Sequence, residues 1–154
     1  RMFLLVVALL VSASLMGCGT NDDANGDLTG KNPPNVNIEI DGKKYETKQG
    51  SYCWMDRCVD KVGPAEILKK EKPVQVKTGE NINFVMGFTQ KPNEIHLFQV
   101  DNGKETDVEM KDNQFTAPNE KGTYLYDYNA RWVDKKDKSL SHGSASYVFA
   151  IEVK

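Results

Sequence analysis

From Asn35 onward, apolar and polar residues alternate along the chain. Val36, Ile38 and Ile40 are interleaved with Asn35, Asn37 and Glu39, which predicts a strand with one apolar face over 35–40. Asp41-Gly42 follows, a two-residue hairpin signal, and predicts a return strand over 43–47 centred on Tyr45. Val74 and Val76 mark a short strand closed by the turn Thr78-Gly79-Glu80. Ile82, Phe84, Met86 and Phe88 then alternate with Asn81, Asn83, Val85 and Gly87. A further strand over 95–100 sets Ile95, Leu97 and Gln99 on one face and His96, Phe98 and Val100 on the other. Segments 106–110 and 114–117 are weaker and edge-like. Tyr124, Tyr126 and Tyr128 share a face opposite Leu125, and Tyr147, Phe149, Ile151 and Val153 share the face of a final strand. One helical stretch stands out at 64–70, where Pro64 suits a first turn and Lys69-Lys70 a last one. Short strands punctuated by Gly, Pro, Asn and Asp predict an all-β fold, an antiparallel β-sandwich with one short helix. The βαβ alternation of nucleotide-binding folds is absent.

Phe115-Thr116-Ala117-Pro118 followed by Lys121-Gly122-Thr123-Tyr124-Leu125-Tyr126 resembles the entry to the penultimate strand of immunoglobulin-like and cupredoxin-like sandwiches. The resemblance implies a tyrosine corner at Tyr124, its hydroxyl bonded to backbone a few residues upstream. It leaves the immunoglobulin-like and cupredoxin-like strand orders both open.

The N-terminus follows a different pattern. Residues 2–11 are ten apolar residues in a row, too few to span a hydrocarbon core that needs about 20. They suit the apolar region of a secretion signal. Leu15-Met16-Gly17-Cys18 resembles the lipobox of bacterial lipoproteins, with Gly17 as the small residue before the cysteine and Met16 bulkier than is usual. That resemblance implies a diacylglyceryl thioether on Cys18, cleavage just before it, and a chain anchored to the outer face of the cell membrane. Residues 19–34 hold Leu28 as their only large apolar side chain and end in Pro33-Pro34, so they read as a flexible tether. The expected organisation is a signal peptide over 1–17, the lipidated Cys18 and tether over 18–34, and the sandwich over 35–154.

Composition narrows the function. Twenty basic and 22 acidic residues give a net charge of −2, which argues against a nucleic-acid binder. The apolar share is a modest 39%, and part of it lies in the leader. With Cys18 assigned to the lipid by the lipobox resemblance, Cys53 and Cys58 remain, and an extracytoplasmic location permits them to pair. Four residues separate them, whereas a redox pair wants two, so the expected disulfide is a structural staple.

The candidate chemistry is sparse. A blue-copper site needs two His and a Cys near the tyrosine strand, and the stretch 128–132 contains no cysteine. Met86 reads as core. His142 sits in the polar, turn-like stretch Ser141-His142-Gly143-Ser144, and His96 lies mid-strand. No nucleophile elbow, His-Glu-x-x-His or phosphate loop accompanies them. No catalytic residue, metal site or cofactor is therefore expected, and the chain reads as a non-enzyme.

What remains is binding. Trp54 lies inside the cysteine loop and Trp132 follows the tyrosine strand. Aromatics on rigid loops serve as contact anchors. Trp54, Trp132, Arg131 and Tyr52 are the expected binding surface, against the competing reading that both tryptophans cover the core. The charged run 134–138 reads as a hairpin tip between the last two strands. Residues 50–64, together with 91–97 and 115–128, resemble uncharacterised lipoproteins of Gram-positive, Bacillus-like bacteria, which carry no activity to transfer. The expectation is a monomeric, lipid-anchored binding module whose partner is an envelope protein, a peptide or a wall ligand. An immunoglobulin-like protease inhibitor is the alternative, and an envelope hydrolase a distant third.

Overall fold

The computed structural model describes residues 28–154. The expected signal peptide, Cys18 and the first part of the expected tether lie outside the described residues.

The first hairpin forms where alternation and turn chemistry agree. β1 (Val36–Ile40) passes through Asp41-Gly42, both at positive φ (49° and 74°), into β2 (Lys43–Glu46). Two left-handed residues in a row make the turn whose twist matches antiparallel strands. There follow β3 (Lys48–Trp54), β4 (Arg57–Val59), α1 (Pro64–Ile67), β5 (Val74–Val76), β6 (Asn81–Met86), β7 (Glu94–Asp101), β8 (Lys104–Val108), β9 (Gln114–Thr116), β10 (Gly122–Val133) and β11 (Ser141–Val153).

Two sheets result. The smaller has the order β2-β1-β6-β9. The larger has the order β4-β3-β11-β10-β7-β8, with β5 lying parallel to the end of β11. This is an all-β sandwich with one short helix. Inward residues of both sheets interdigitate: Phe84 of the smaller sheet stacks on Tyr128 at 4.1 Å between centroids and meets Phe149 edge-on at 5.7 Å. Tyrosine fills much of this core, and its hydroxyls need partners. Tyr128 Oη donates to Asn113 Oδ1 and Tyr147 Oη to the Pro34 carbonyl. Burial holds the Tyr128 phenol up at about 12. At the corner before β10, Tyr124 Oη donates to the Glu120 carbonyl at 2.9 Å, the tyrosine corner that the local sequence implied.

Three departures from expectation have physical causes. Residues 48–59 were not expected as strands, because Lys48-Gln49-Gly50-Ser51 carries no apolar alternation. They form a hairpin because β3 adds to the edge of β11 and draws its order from that ladder. Secondly, β10 and β11 run several residues past their tyrosine-rich halves, so His142 and Gly143 lie in a strand and not in a turn. Gly143 must lack a side chain there: a Cβ would come within 2.5 Å of Leu28 Cδ1 and 2.9 Å of Trp54 Cε3.

Thirdly, residues 28–34 are not a tether. Leu28 is buried, Gln90 Oε1 accepts from Thr29, and the Gly30 carbonyl accepts from Trp54 Nε1. Arg57 donates to Asn32 Oδ1, and the Pro34 carbonyl accepts from Tyr147. The packed domain begins by Leu28, not at Asn35. One leucine and a few backbone carbonyls fix a segment whose composition alone reads as solvated.

Helix α1 is a single turn opened by Pro64. Ile67 and Leu68 seat it on Leu125, Val148 and Ala150, on the outer face of the larger sheet. Among the described residues no helix is long and apolar enough to cross a membrane.

Candidate functional site

The expected binding surface does not hold together. Trp54 is 1% exposed and Trp132 5%. Their rings meet edge-on at 4.9 Å, and Phe88 closes against both. Each indole N–H donates to a backbone carbonyl, Trp54 to Gly30 and Trp132 to Gln90. Both residues fall on the inward face of their strands, where Trp132, Gly143 and Trp54 sit in one cross-strand row. They cap the end of the core and present nothing to a partner. Tyr52 is half-buried at the β3 edge, with its hydroxyl accepting from Arg57 at 2.7 Å. Arg131 alone of the four points out from the larger sheet, where Glu94 Oε2 accepts from it at 2.8 Å.

Arg131 does belong to a concavity. A groove of about 420 Å³ runs between the outer face of the larger sheet and the strap 60–64 that leads into α1. Its floor is made by the central strands. Asp127, Asn129 and Arg131 alternate along β10 and lie opposite Val148, Ser146 and Ser144 of β11. The strap is tied down: Lys61 N donates to Ser51 Oγ and Lys61 Nζ to the Gln49 carbonyl. The groove opens where the apolar cover of α1 stops.

Asp127 is the unusual member. It is only 8% exposed, and Ser146 Oγ donates to its Oδ1 at 2.5 Å. Burial pushes its carboxyl above the ordinary value, Ser146 and Asn129 oppose that, and the negative Glu105 adds to it. Among the described residues no Lys or Arg stands within ion-pair distance of it. Gly50 makes this arrangement possible, because a Cβ there would come within 2.5 Å of Ser146 Oγ.

The histidines are separate from the groove floor. His142 Nε2 lies 3.1 Å from Asp134 Oδ2. Asp134 Oδ1 also accepts from the backbone N–H of Lys136 and Asp137, and these bonds, with His142, hold its carboxyl below the usual range. The pair thus latches the 134–140 connection between β10 and β11. His96 is half-exposed on the outer face, 3.7 Å from Glu94 and stacked on Phe98.

Cys53 and Cys58 face each other across β3 and β4, their sulfurs at the bonding distance of 1.98 Å. The disulfide staples the hairpin that carries one groove wall. Among the described residues, no group of three or more His, Cys, Asp or Glu is placed to hold a metal.

Sequence reasoning missed Asp127, Asn129, Ser144 and Ser146. The signal was present in the alternation of β10, which sets Asp127, Asn129 and Arg131 on the face opposite Tyr126, Tyr128 and Ala130. Nothing local says that a strap from residues 60–64 will wall that face. Comparison with protein-family models, with curated proteins and with solved structures finds no match.

Proposed function

We propose that this chain is a lipid-anchored, extracytoplasmic β-sandwich that binds a polar ligand of the cell envelope, without catalysis, in the groove on the outer face of its larger sheet. The observation that carries this reading is the groove floor. Two central strands present Asp127, Asn129, Arg131, Ser144 and Ser146 side by side under a fixed strap. Convergent polar groups in a concave site are what orients a small ligand. The histidine–carboxylate pair offers no competing catalytic reading, since Asp134 is committed to a turn.

The anchor rests on Leu15-Met16-Gly17-Cys18. Ten residues lead from Cys18 to the docked Leu28, which bounds the distance from lipid to domain at about 35 Å for an extended chain. Leu28 packs beside Trp54, so the anchoring segment joins the domain at the end capped by Trp54 and Trp132. An immunoglobulin-like arrangement is the finer fold reading. It is supported by β11, β10 and β7 lying in that order in one sheet and β6 beside β9 in the other, as strands G, F and C and strands B and E do in such domains.

Two measurements test the proposal. Mass spectrometry of the membrane-extracted protein should find the diacylglyceryl adduct on Cys18, and Cys18→Ala should release the protein. In the released Cys18→Ala background, cosedimentation with purified Gram-positive cell walls should fall when Asn129 and Ser144 are both changed to alanine. Equal retention by the folded groove variant would place the binding elsewhere.

A further inference from the structure

We propose that the groove receives a primary ammonium group of its ligand on the Asp127 carboxylate. This rests on the reading of the groove as a binding site and names the chemistry at its floor. A carboxylate that is nine-tenths buried is ordinarily paired with a cation, because burial penalises the bare charge. Asp127 has hydrogen bonds from the Ser146 hydroxyl and the Asn129 side chain and no cation. The two cations of the groove are used elsewhere. Arg131 is held by Glu94, four residues and about 13 Å along the strand. Lys61 Nζ is spent on the Gln49 carbonyl at 2.8 Å. The other charge acting on Asp127 is Glu105, which has the same sign. The charge that acts on Asp127 is thus of its own sign, and a cation is the complement of the pair.

The form of that cation follows from the neighbours. Ser146 already occupies Oδ1 of Asp127, which disfavours a planar guanidinium that wants both oxygens. A metal ion wants several anionic or imidazole ligands, and Asp127 has no such company among the described residues. An ammonium is a compact charge with three donors. Asp127 and the Ser146 hydroxyl oxygen offer acceptors at the groove floor, beside Asn129. An amino sugar and a lysine-like side chain both carry this group, and the test separates them.

The full chain, isotopically labelled and kept in mild detergent, is titrated with glucosamine and with Nα-acetyl-lysine amide while backbone amide resonances are followed. N-acetylglucosamine and the Nε-acetylated lysine derivative serve as neutral counterparts. Saturable shifts at Asp127, Asn129 and Ser146 are expected with at least one amine and with neither neutral analogue. The amine that shifts them identifies the source. Asp127→Asn should weaken the response at least about tenfold, the loss expected when a charged hydrogen bond is removed. Lys43→Gln, on the smaller sheet and away from the groove, should leave it intact, and the comparison of amine with neutral analogue on the unsubstituted chain keeps the test decisive if Asp127→Asn fails to fold. Neutral analogues binding as well as amines, or an undiminished amine response in folded Asp127→Asn, would overturn the proposal. A solubilised wall digest is the final arm. Shifts at the groove from the digest but from no amine would discard the ammonium and keep the groove, whereas no shift from either would discard both.

Discussion

Replacing Trp54 by alanine distinguishes a core residue from a contact anchor. The side chain is 1% exposed, so truncation removes nearly its whole buried surface. Large aromatic-to-alanine changes in cores cost about 3–5 kcal/mol. The edge-on contact with Trp132 at 4.9 Å, worth about 1 kcal/mol, argues for the upper half of that range. The Gly30 carbonyl also loses its donor, which frees residues 28–34 from one of their attachments. A loss of about 4 kcal/mol is expected, a large part of the ~5–15 kcal/mol available to a domain of this size. Trp54→Phe keeps an edge-on ring but not the indole N–H, and should lose about 1–2 kcal/mol. Urea unfolding followed by far-UV circular dichroism measures both without relying on tryptophan emission. If Trp54→Ala lost less than ~1 kcal/mol while its retention on cell walls collapsed, the packing argument would be wrong and Trp54 would be a surface anchor after all.

Three further outcomes follow from named contacts. Gly143→Ala forces Leu28 Cδ1 away from a Cβ at 2.5 Å, so amide exchange at 29–32 should rise with a global loss of about 1–3 kcal/mol; unchanged protection there would refute the docking of this segment. Replacing Cys53 and Cys58 together by alanine opens a six-residue loop and should lower the unfolding free energy by about 2 kcal/mol in the chain-entropy model, read from denaturant midpoints. Asp127 binds its proton more tightly folded than unfolded, so its contribution is fully present below the unfolded value and is lost as pH rises through the raised folded value. Relative to wild type, Asp127→Asn should therefore gain stability as pH rises from about 4, and a pH-independent difference between the two would count against a desolvated carboxyl.

Where a residue's role is decided by its near neighbours in sequence, it was legible. Asp41-Gly42 needs only its own left-handed turn to join β1 and β2. Tyr124 reaches Glu120, four residues upstream. Val74 and Val76, and the alternation of 81–86, form strands where expected. What was not legible depends on partners far along the chain. The β3–β4 hairpin is ordered by β11, roughly ninety residues later in sequence. Residues 28–34 look solvated because their attachments are to Trp54, Arg57, Gln90 and Tyr147. The core tolerates a modest apolar content because tyrosines fill it and find carbonyl and amide partners at its edges.

The misplaced tryptophan surface and the missed groove have one cause. Along β10 the side chains alternate, so any residue assigned outward fixes the face of every other. Tyr126 and Tyr128 are inward because they meet Phe149 and Phe84 of the core. Trp132 is an even number of residues from both, which puts it inward as well. Asp127, Asn129 and Arg131 are then outward by the same count. Reading Trp132 and Arg131 as parts of one surface broke the period of two, since adjacent strand residues point to opposite sides of the sheet. The period alone makes 127, 129 and 131 a polar row. Only the tertiary structure brings the strap and α1 over that row, and with them the burial that makes Asp127 chemically unlike its neighbours.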